Sequence, residues 1–171
     1  MTVKTGWTGR YFEDFEVGDI YRSRLGRTIS EADNTQFTLL TNNTNQIHFN
    51  AHYAARTEFG RLVVNSALTF SVVAGLAVTD VSENGFALGW DYIELPSPVF
   101  VGDTIYAETE VLEKRESRSR PGQGIIKVRS AGINQDGQVV LRFVRTVMVW
   151  KRDAAPSASL FPERVATVGG Q

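Results

Sequence analysis

The sequence predicts an α+β fold in which one antiparallel sheet curls round a single buried helix. Residues 62–79 contain no charged side chain, which is typical of a helix surrounded by other parts of a protein. Residues 86–151 are rich in β-branched and aromatic side chains that alternate with polar ones, as in strands. An Asp136-Gly137 pair between the last two apolar segments predicts a tight hairpin turn.

The first half of the chain predicts a strand and two short helices ahead of the central one. A strand is expected around residues 20–28. Ser30 and Asp33 resemble a capping box, so a helix should follow Ser30. A second helix is expected to begin at Asn50 and to end near Gly60. The central helix then occupies residues 62–79, which is slightly short for a membrane span and carries several polar residues.

The second half predicts four strands and then an irregular end. The strands are expected at residues 86–95, 104–112, 124–133 and 138–151. We therefore predict one domain over residues 1–152, which suits a chain of 171 residues. Residues 153–171 have no periodicity and predict an irregular arm, in which Leu160 and Phe161 supply the apolar docking groups.

Charge and composition narrow the classes of partner. A formal net charge of -1 gives no electrostatic reason to expect a nucleic acid or an anionic membrane as partner. The absence of cysteine excludes disulfides, thiolate nucleophiles and cysteine-based metal sites. The first residues lack the apolar stretch of a signal peptide, so we expect a cytoplasmic protein.

Residues 41–50 combine four asparagines with a histidine in a stretch too polar for a core. His48 and His52 have the spacing of two metal ligands on a helix, but Asn50 is a good helix start and would leave His48 outside that helix. We therefore expect no metal here and interpret His52 as a solvated helix residue. For His48 the residues alone leave two interpretations open, a loop histidine bonded to nearby amides or a group that moves protons near neutral pH.

These residues resemble a motif of the MaoC-like acyl dehydratases, the (R)-specific enoyl-CoA hydratase group. That motif reads Gly-Asp-x-Asn-Pro-x-His, then Phe-Gly, then a helix that opens with His-Gly. Residues 42–48 match its first part, Phe59-Gly60 the second and Asn65-Ser66 the third, while residues 95–105 resemble the family's strand-entry segment. Residues 40–49 and 114–125 also resemble the subgroup that acts on branched dicarboxylic acyl-CoAs of the mesaconyl-CoA type.

The resemblance implies a hot-dog fold and a hydro-lyase that adds water to, or removes it across, an α,β-unsaturated acyl thioester. It implies a thioester of CoA or of a carrier protein as substrate, no cofactor, and a homodimer or larger homo-oligomer that forms the acyl pocket between two copies. A hot-dog thioesterase and a non-catalytic acyl-thioester-binding subunit are alternatives on the same scaffold.

By the same resemblance, His48 and Asn43 occupy the catalytic positions, Asn45 supports the water, and the backbone N–H of Ser66 belongs to the oxyanion hole. Asn65 stands at the substrate-binding position of the helix start. Asn43 replaces the family's aspartate, and an amide is no base at neutral pH. Three interpretations follow: His48 alone cycles the proton, the substrate supplies a carboxylate of its own, or the activity has been lost.

The basic residues 114–120 bear on the same substrate. Arg118 and Arg120 are candidates for binding the phosphates of a CoA or pantetheine arm. The alternative interpretation is a solvated loop at the end of a strand.

Overall fold

The computed structural model describes residues 2, 4 and 6–156. The strands in this part of the chain are β1 Ile20–Arg22, β2 Arg27–Thr28, β3 Gly85–Glu94, β4 Thr104–Glu116, β5 Gln123–Asn134 and β6 Val139–Trp150. The α-helices are α1 Glu31–Leu40, α2 Ala51–Ala54, α3 Ser66–Leu76 and α4 Val78–Val81. Single 3-10 turns lie at Phe12–Asp14, Gln46–His48 and Arg152–Ala154.

The strands form one antiparallel sheet with the order β1-β4-β5-β6-β3, in which β2 also pairs with β4. The predicted hairpin between the last two strands is confirmed, and Gly137 has the left-handed φ of 77° that its turn requires. Helix α3 packs against one face of this sheet. The predicted α+β hot-dog arrangement, a sheet curled round one central helix, is therefore confirmed.

Close contact between α3 and the sheet depends on Gly132 of β5. A Cβ at this position would lie 2.5 Å from the Cγ2 atom of Val73, so any larger residue would push the helix away. Leu68 and Val73 point from the helix into the core, where they meet the inward-facing side chains of β4, β5 and β6. Helix α3 therefore packs against the core through one of its faces.

The central helix is shorter and more exposed than predicted. It begins at Ser66 because the preceding residues are extended, with Val63 bridged to Phe100. It ends at Leu76, and α4 follows as a separate turn. A strip of small residues on its outer side is exposed, namely Ser66, Ala67, Ser71 and Gly75. In the described ranges, no helix combines the length and the apolar character needed to cross a membrane.

Other boundaries also differ from the prediction, and β4 continues to Glu116, four residues beyond its expected end at residue 112. The first strand is interrupted because four residues intervene between Arg22 and Arg27, while only two lie between their partners Glu108 and Ile105 on β4. Helix α2 ends at Ala54, since tight i to i+3 bonds take over before Gly60.

The C-terminal arm is described only at its start. Immediately before the arm, Arg152 forms an ion pair with Asp14 at 2.5 Å. Leu160 and Phe161, the expected docking residues of the arm, lie outside the described residues.

Arg145 of β6 is a buried cation without a charged partner among the described residues. Its side chain shares the inward face of the strand with Phe143 and Val147, and 4% of the residue is exposed. The Nε and Nη2 atoms have no hydrogen-bond partner in this part of the chain, and burial lowers the pKa of Arg145 to about 10. The guanidinium is still charged at neutral pH, so its burial carries a desolvation cost that no ion pair among the described residues offsets.

We expect Arg145→Met to raise the free energy of unfolding by about 1–3 kcal/mol, because it removes a buried charge and keeps the apolar stem. Urea unfolding at pH 7 measures the change. Arg142→Met on the same strand is the matched control, since Arg142 pairs with Glu94 at 3.1 Å on a partly exposed site and should change stability by less than about 1 kcal/mol. A loss of stability in Arg145→Met would contradict this expectation and show that the surroundings of the guanidinium, which include the ring of Phe143 at 5.8 Å, stabilise the charge.

Candidate active site

A cavity of about 370 Å³ lies at the N-terminal end of α3. Three segments form its walls: the 3-10 turn Gln46–His48, the chain from residue 59 to the start of α3, and residues 95–99 after β3. Its lining is mostly apolar, with Phe59, Val64, Leu95 and Pro98 among the residues that surround it. His48 is the one ionisable side chain among the described residues that line it.

A second cavity, of about 330 Å³, lies between the bulge that separates β1 from β2 and the C-terminal half of α3. Arg24, Arg27 and apolar residues of α3 line it. It contains neither histidine nor any of the motif amides, so the first cavity is the candidate active site.

The side chain of His48 is oriented by a backbone carbonyl. The residue is 7% exposed, and its Nδ1 lies 2.9 Å from the carbonyl oxygen of Val63. Because a carbonyl oxygen only accepts hydrogen bonds, Nδ1 must carry the ring proton. The lone pair of the neutral imidazole then belongs to Nε2, which is the nitrogen left to accept a proton from water in the cavity.

Asn34 of α1 connects the segments that carry these groups, and the sequence analysis did not identify it. The residue is 0% exposed. Its Nδ2 donates to the carbonyl oxygens of His48 at 2.7 Å and Val63 at 3.2 Å, and its Oδ1 accepts from the N–H of Asn65 at 2.8 Å. The only signal in the sequence was a pair of polar residues four apart, Asn34 and Thr38, on the buried side of the helix.

The asparagines of residues 41–50 mainly satisfy backbone groups of the loop. Oδ1 of Asn43 accepts from the N–H of Asn45 at 3.0 Å, and Oδ1 of Asn45 accepts from the N–H of Ile47 at 3.3 Å. Asn42 adopts a left-handed conformation with φ of 52°, which asparagine tolerates better than most residues and which glycine, its counterpart in the motif, adopts freely. Asn45 lines the cavity, whereas the half-buried Asn43 does not.

The start of α3 supplies the backbone N–H of Ser66 to the cavity, whereas the side chain of Asn65, the residue before it, stabilises the fold. Asn65 is 3% exposed; its Oδ1 caps the helix by accepting from Ala67 N–H at 3.0 Å, and its Nδ2 donates to Thr38 at 3.3 Å. Asn65 therefore does not line the cavity. Ser66 does, and its N–H belongs to the first turn, where no carbonyl of the same helix can accept. The positive end of the helix dipole reinforces this donor.

Arg118 and Arg120 are not close to His48 within one chain. Both lie in the loop between β4 and β5, where the guanidinium of Arg120 lies 5.5 Å from the ring of Phe86. Phe86 is at the beginning of β3, whereas the cavity begins after its end at Glu94. The nine residues from Phe86 to Glu94 extend over about 26 Å.

The comparisons with known proteins agree with this fold and motif. Residues 14–132 match the sequence profile of the MaoC like domain. The chain is 35% identical over 163 residues to a mesaconyl-CoA hydratase of Cereibacter sphaeroides, a match that covers 94% of this chain and 47% of that protein. It is 31% identical over 106 residues to an (R)-specific enoyl-CoA hydratase of Aeromonas caviae, covering 62% of this chain and 78% of that protein.

The solved structures include a MaoC domain protein described as a putative dehydratase, from Chloroflexus aurantiacus. It is 30% identical, with a TM-score of 0.83, and the match covers 98% of this chain and 48% of that one. The chain thus spans about half the length of the mesaconyl-CoA hydratase relative and of this structure. The extent of the profile match and the shared fold show that the protein belongs to the family of MaoC-like domains, as the motif predicted.

Proposed function

We propose that the protein is a hydro-lyase that adds water to, or removes it across, the α,β double bond of an enoyl-CoA thioester. The observation that carries the proposal is the pairing, in one apolar cavity, of a histidine whose Nδ1 is bonded to a carbonyl with the first N–H groups of α3. The hydratase relatives support the same reaction class. The name of the first relative makes a branched dicarboxylic enoyl-CoA the first substrate to test.

In the hydration direction, Nε2 of His48 takes a proton from a water molecule while the water oxygen bonds to the β-carbon. The electrons of the double bond move to the thioester oxygen as an enolate, which the N–H of Ser66 and the helix dipole stabilise. The imidazolium then returns the proton to the α-carbon. One histidine therefore performs both proton transfers, with no net change in its charge.

The two asparagines contribute donors in this scheme. Because Oδ1 of Asn43 and Oδ1 of Asn45 already accept backbone N–H groups, their Nδ2 groups are what they can offer to a water molecule. A donor to the water oxygen leaves a water hydrogen directed at His48. Asn45, which lines the cavity, is the closer of the two to this role.

We expect His48→Ala to lower the rate of hydration about 10²- to 10⁴-fold, because it removes the group that moves both protons. The assay follows the absorbance of the conjugated thioester in a panel of dicarboxylic and straight-chain enoyl-CoAs, together with free thiol. His52→Ala is the matched control, since His52 is exposed on α2 and should change nothing.

The outcomes of this assay separate the three candidate activities. Loss of absorbance without thiol supports hydration, and thiol release indicates a thioesterase. If the unmodified protein changes neither the absorbance nor the free thiol with any substrate of the panel, an acyl-thioester-binding subunit is indicated. A fully active His48→Ala variant removes His48 from the mechanism.

We expect Asn43→Asp to raise the rate with straight-chain enoyl-CoAs about tenfold, because it restores the carboxylate that the family motif has at this position. The fold should be unaffected, since a carboxylate oxygen can accept the N–H of Asn45 as the amide oxygen does. Steady-state rates of this variant and of Asn43→Ala measure the effect. A lower rate for Asn43→Asp would show that the amide is suited to the natural substrate.

We further propose that two copies of the chain pair through β3, which is the edge strand beside β6. Its long apolar side chains are about half exposed, namely Phe86, Leu88, Trp90, Tyr92 and Ile93. An edge strand of this kind is a template for another strand. Antiparallel pairing about a two-fold axis would bring the Gly85 end of one β3 beside the Glu94 end of the other. The partner's β4–β5 loop, with its Arg118 and Arg120 counterparts, would then approach the cavity.

A hybrid experiment tests this pairing and the role of the arginines together. His48→Ala chains and chains that carry both Arg118→Ala and Arg120→Ala are each expected to be nearly inactive with CoA thioesters at low concentration. After subunit exchange, about one quarter of the wild-type rate should return, because half of the dimers are hybrids and each hybrid has one intact site. No recovery above the sum of the parents, or a monomer in solution scattering, would contradict the proposal.

A further inference from the structure

The hydrogen bonds of the Asn34 side chain do more than stabilise the fold. The residue lies on α1, away from the motif in sequence, and its side chain bonds to the backbone of three residues, His48, Val63 and Asn65. We infer that Asn34 is a positioning residue that sets the tautomer of His48 and its place relative to the start of α3. The catalytic part of this inference rests on the proposed hydro-lyase function.

The link to the tautomer passes through the carbonyl oxygen of Val63. A carbonyl oxygen has two lone pairs, and here one faces Nδ1 of His48 at 2.9 Å while the other accepts from Nδ2 of Asn34 at 3.2 Å. The other hydrogen of the same amide bonds the carbonyl of His48 itself at 2.7 Å. One NH₂ group therefore holds both the backbone from which the imidazole projects and the acceptor that orients its ring.

The link to the helix start defines which way the amide points. Oδ1 of Asn34 accepts the N–H of Asn65, the residue immediately before Ser66. A flipped amide would set its oxygen against two carbonyls and its NH₂ against an N–H, so only one orientation satisfies all three bonds. The same buried side chain therefore positions both the base and the proposed oxyanion donor. Small displacements between such groups lower the reaction rate strongly.

Loss of Asn34 would also destabilise the fold, because it leaves buried backbone groups without hydrogen-bond partners. A decisive test therefore needs a measurement that stability alone does not change. Asn34→Asp is the main variant, since it keeps the shape and the acceptor for Asn65 N–H, while its carboxyl group, even when protonated, can donate to at most one of the two carbonyls. Asn34→Leu, which loses all three bonds, is the second variant.

The matched control is Thr109→Val. Thr109 and Ser130 share a buried hydrogen bond of 2.8 Å between β4 and β5, outside the cavity lining. The control therefore removes a buried polar contact without touching the groups that Asn34 holds.

The experiment measures the tautomer of His48 by ¹⁵N NMR of the imidazole nitrogens at a pH where the ring is neutral, with exposed His52 as the internal reference. We expect the Nδ1–H form to dominate in the unmodified protein and the Nε2–H form to gain population in Asn34→Asp. We also expect kcat to fall about 10- to 100-fold with KM changed less than about threefold. Thr109→Val should lower the melting temperature while leaving the tautomer and kcat unchanged.

Two results would overturn the inference: an Nε2–H form of His48 in the unmodified protein, or a folded Asn34→Asp variant whose tautomer equals that of Thr109→Val. The NMR measurement needs no substrate. If the unmodified protein lacks hydratase activity, the proposed function fails, while the tautomer result still decides whether Asn34 positions the ring.

Discussion

The hydrogen bond from Nδ1 of His48 to the carbonyl oxygen of Val63 decides which imidazole nitrogen can act as a base. This carbonyl is held in place by its surroundings. Val63 donates its N–H to the carbonyl of Ile47 at 3.1 Å and is bridged to Phe100. The loop that carries the histidine and the segment that leads into α3 are therefore tied together directly, and the ring is bonded to a rigid partner.

The amide side chains around the site have different roles near the surface and in the core. Half-buried Asn43 and exposed Asn45 complete backbone hydrogen bonds within the loop, which has no helix or strand to supply them. Gln46 and Asn50 bond to each other at 2.6 Å and connect the 3-10 turn to α2. Buried Asn34 and Asn65 instead join α1, the loop and α3. An aspartate at a buried position of this kind would bring an uncompensated charge, whereas an amide bonds without one.

Helix α3 lacks charged residues although a single chain leaves its outer face exposed, and the composition of the surrounding surface accounts for this. Small residues form its exposed strip, and the adjacent edge strand β3 exposes several large apolar side chains. A surface of this composition is suited to contact with another protein surface. Arg145 is different, because it is buried within the chain itself and its Nε and Nη2 atoms have no hydrogen-bond partner among the described residues. Its cost to stability is independent of whether the outer surface becomes covered.

The sequence alone determined the features that depend on neighbours in the chain. The capping box at Ser30, the helix cap at Asn50 and the hairpin turn at Gly137 follow from local hydrogen bonding and backbone conformation, so they were predictable. The alternation along β4 to β6 and the motif ending in His48 led to the fold and the family. Tertiary structure decided what depends on distant residues: the late start of α3 at Ser66, the acceptor for His48, the role of Asn34, and the separation of Arg118 and Arg120 from the cavity. Residues far apart in the chain create these contacts, and no local pattern encodes which backbone carbonyl a side chain will meet.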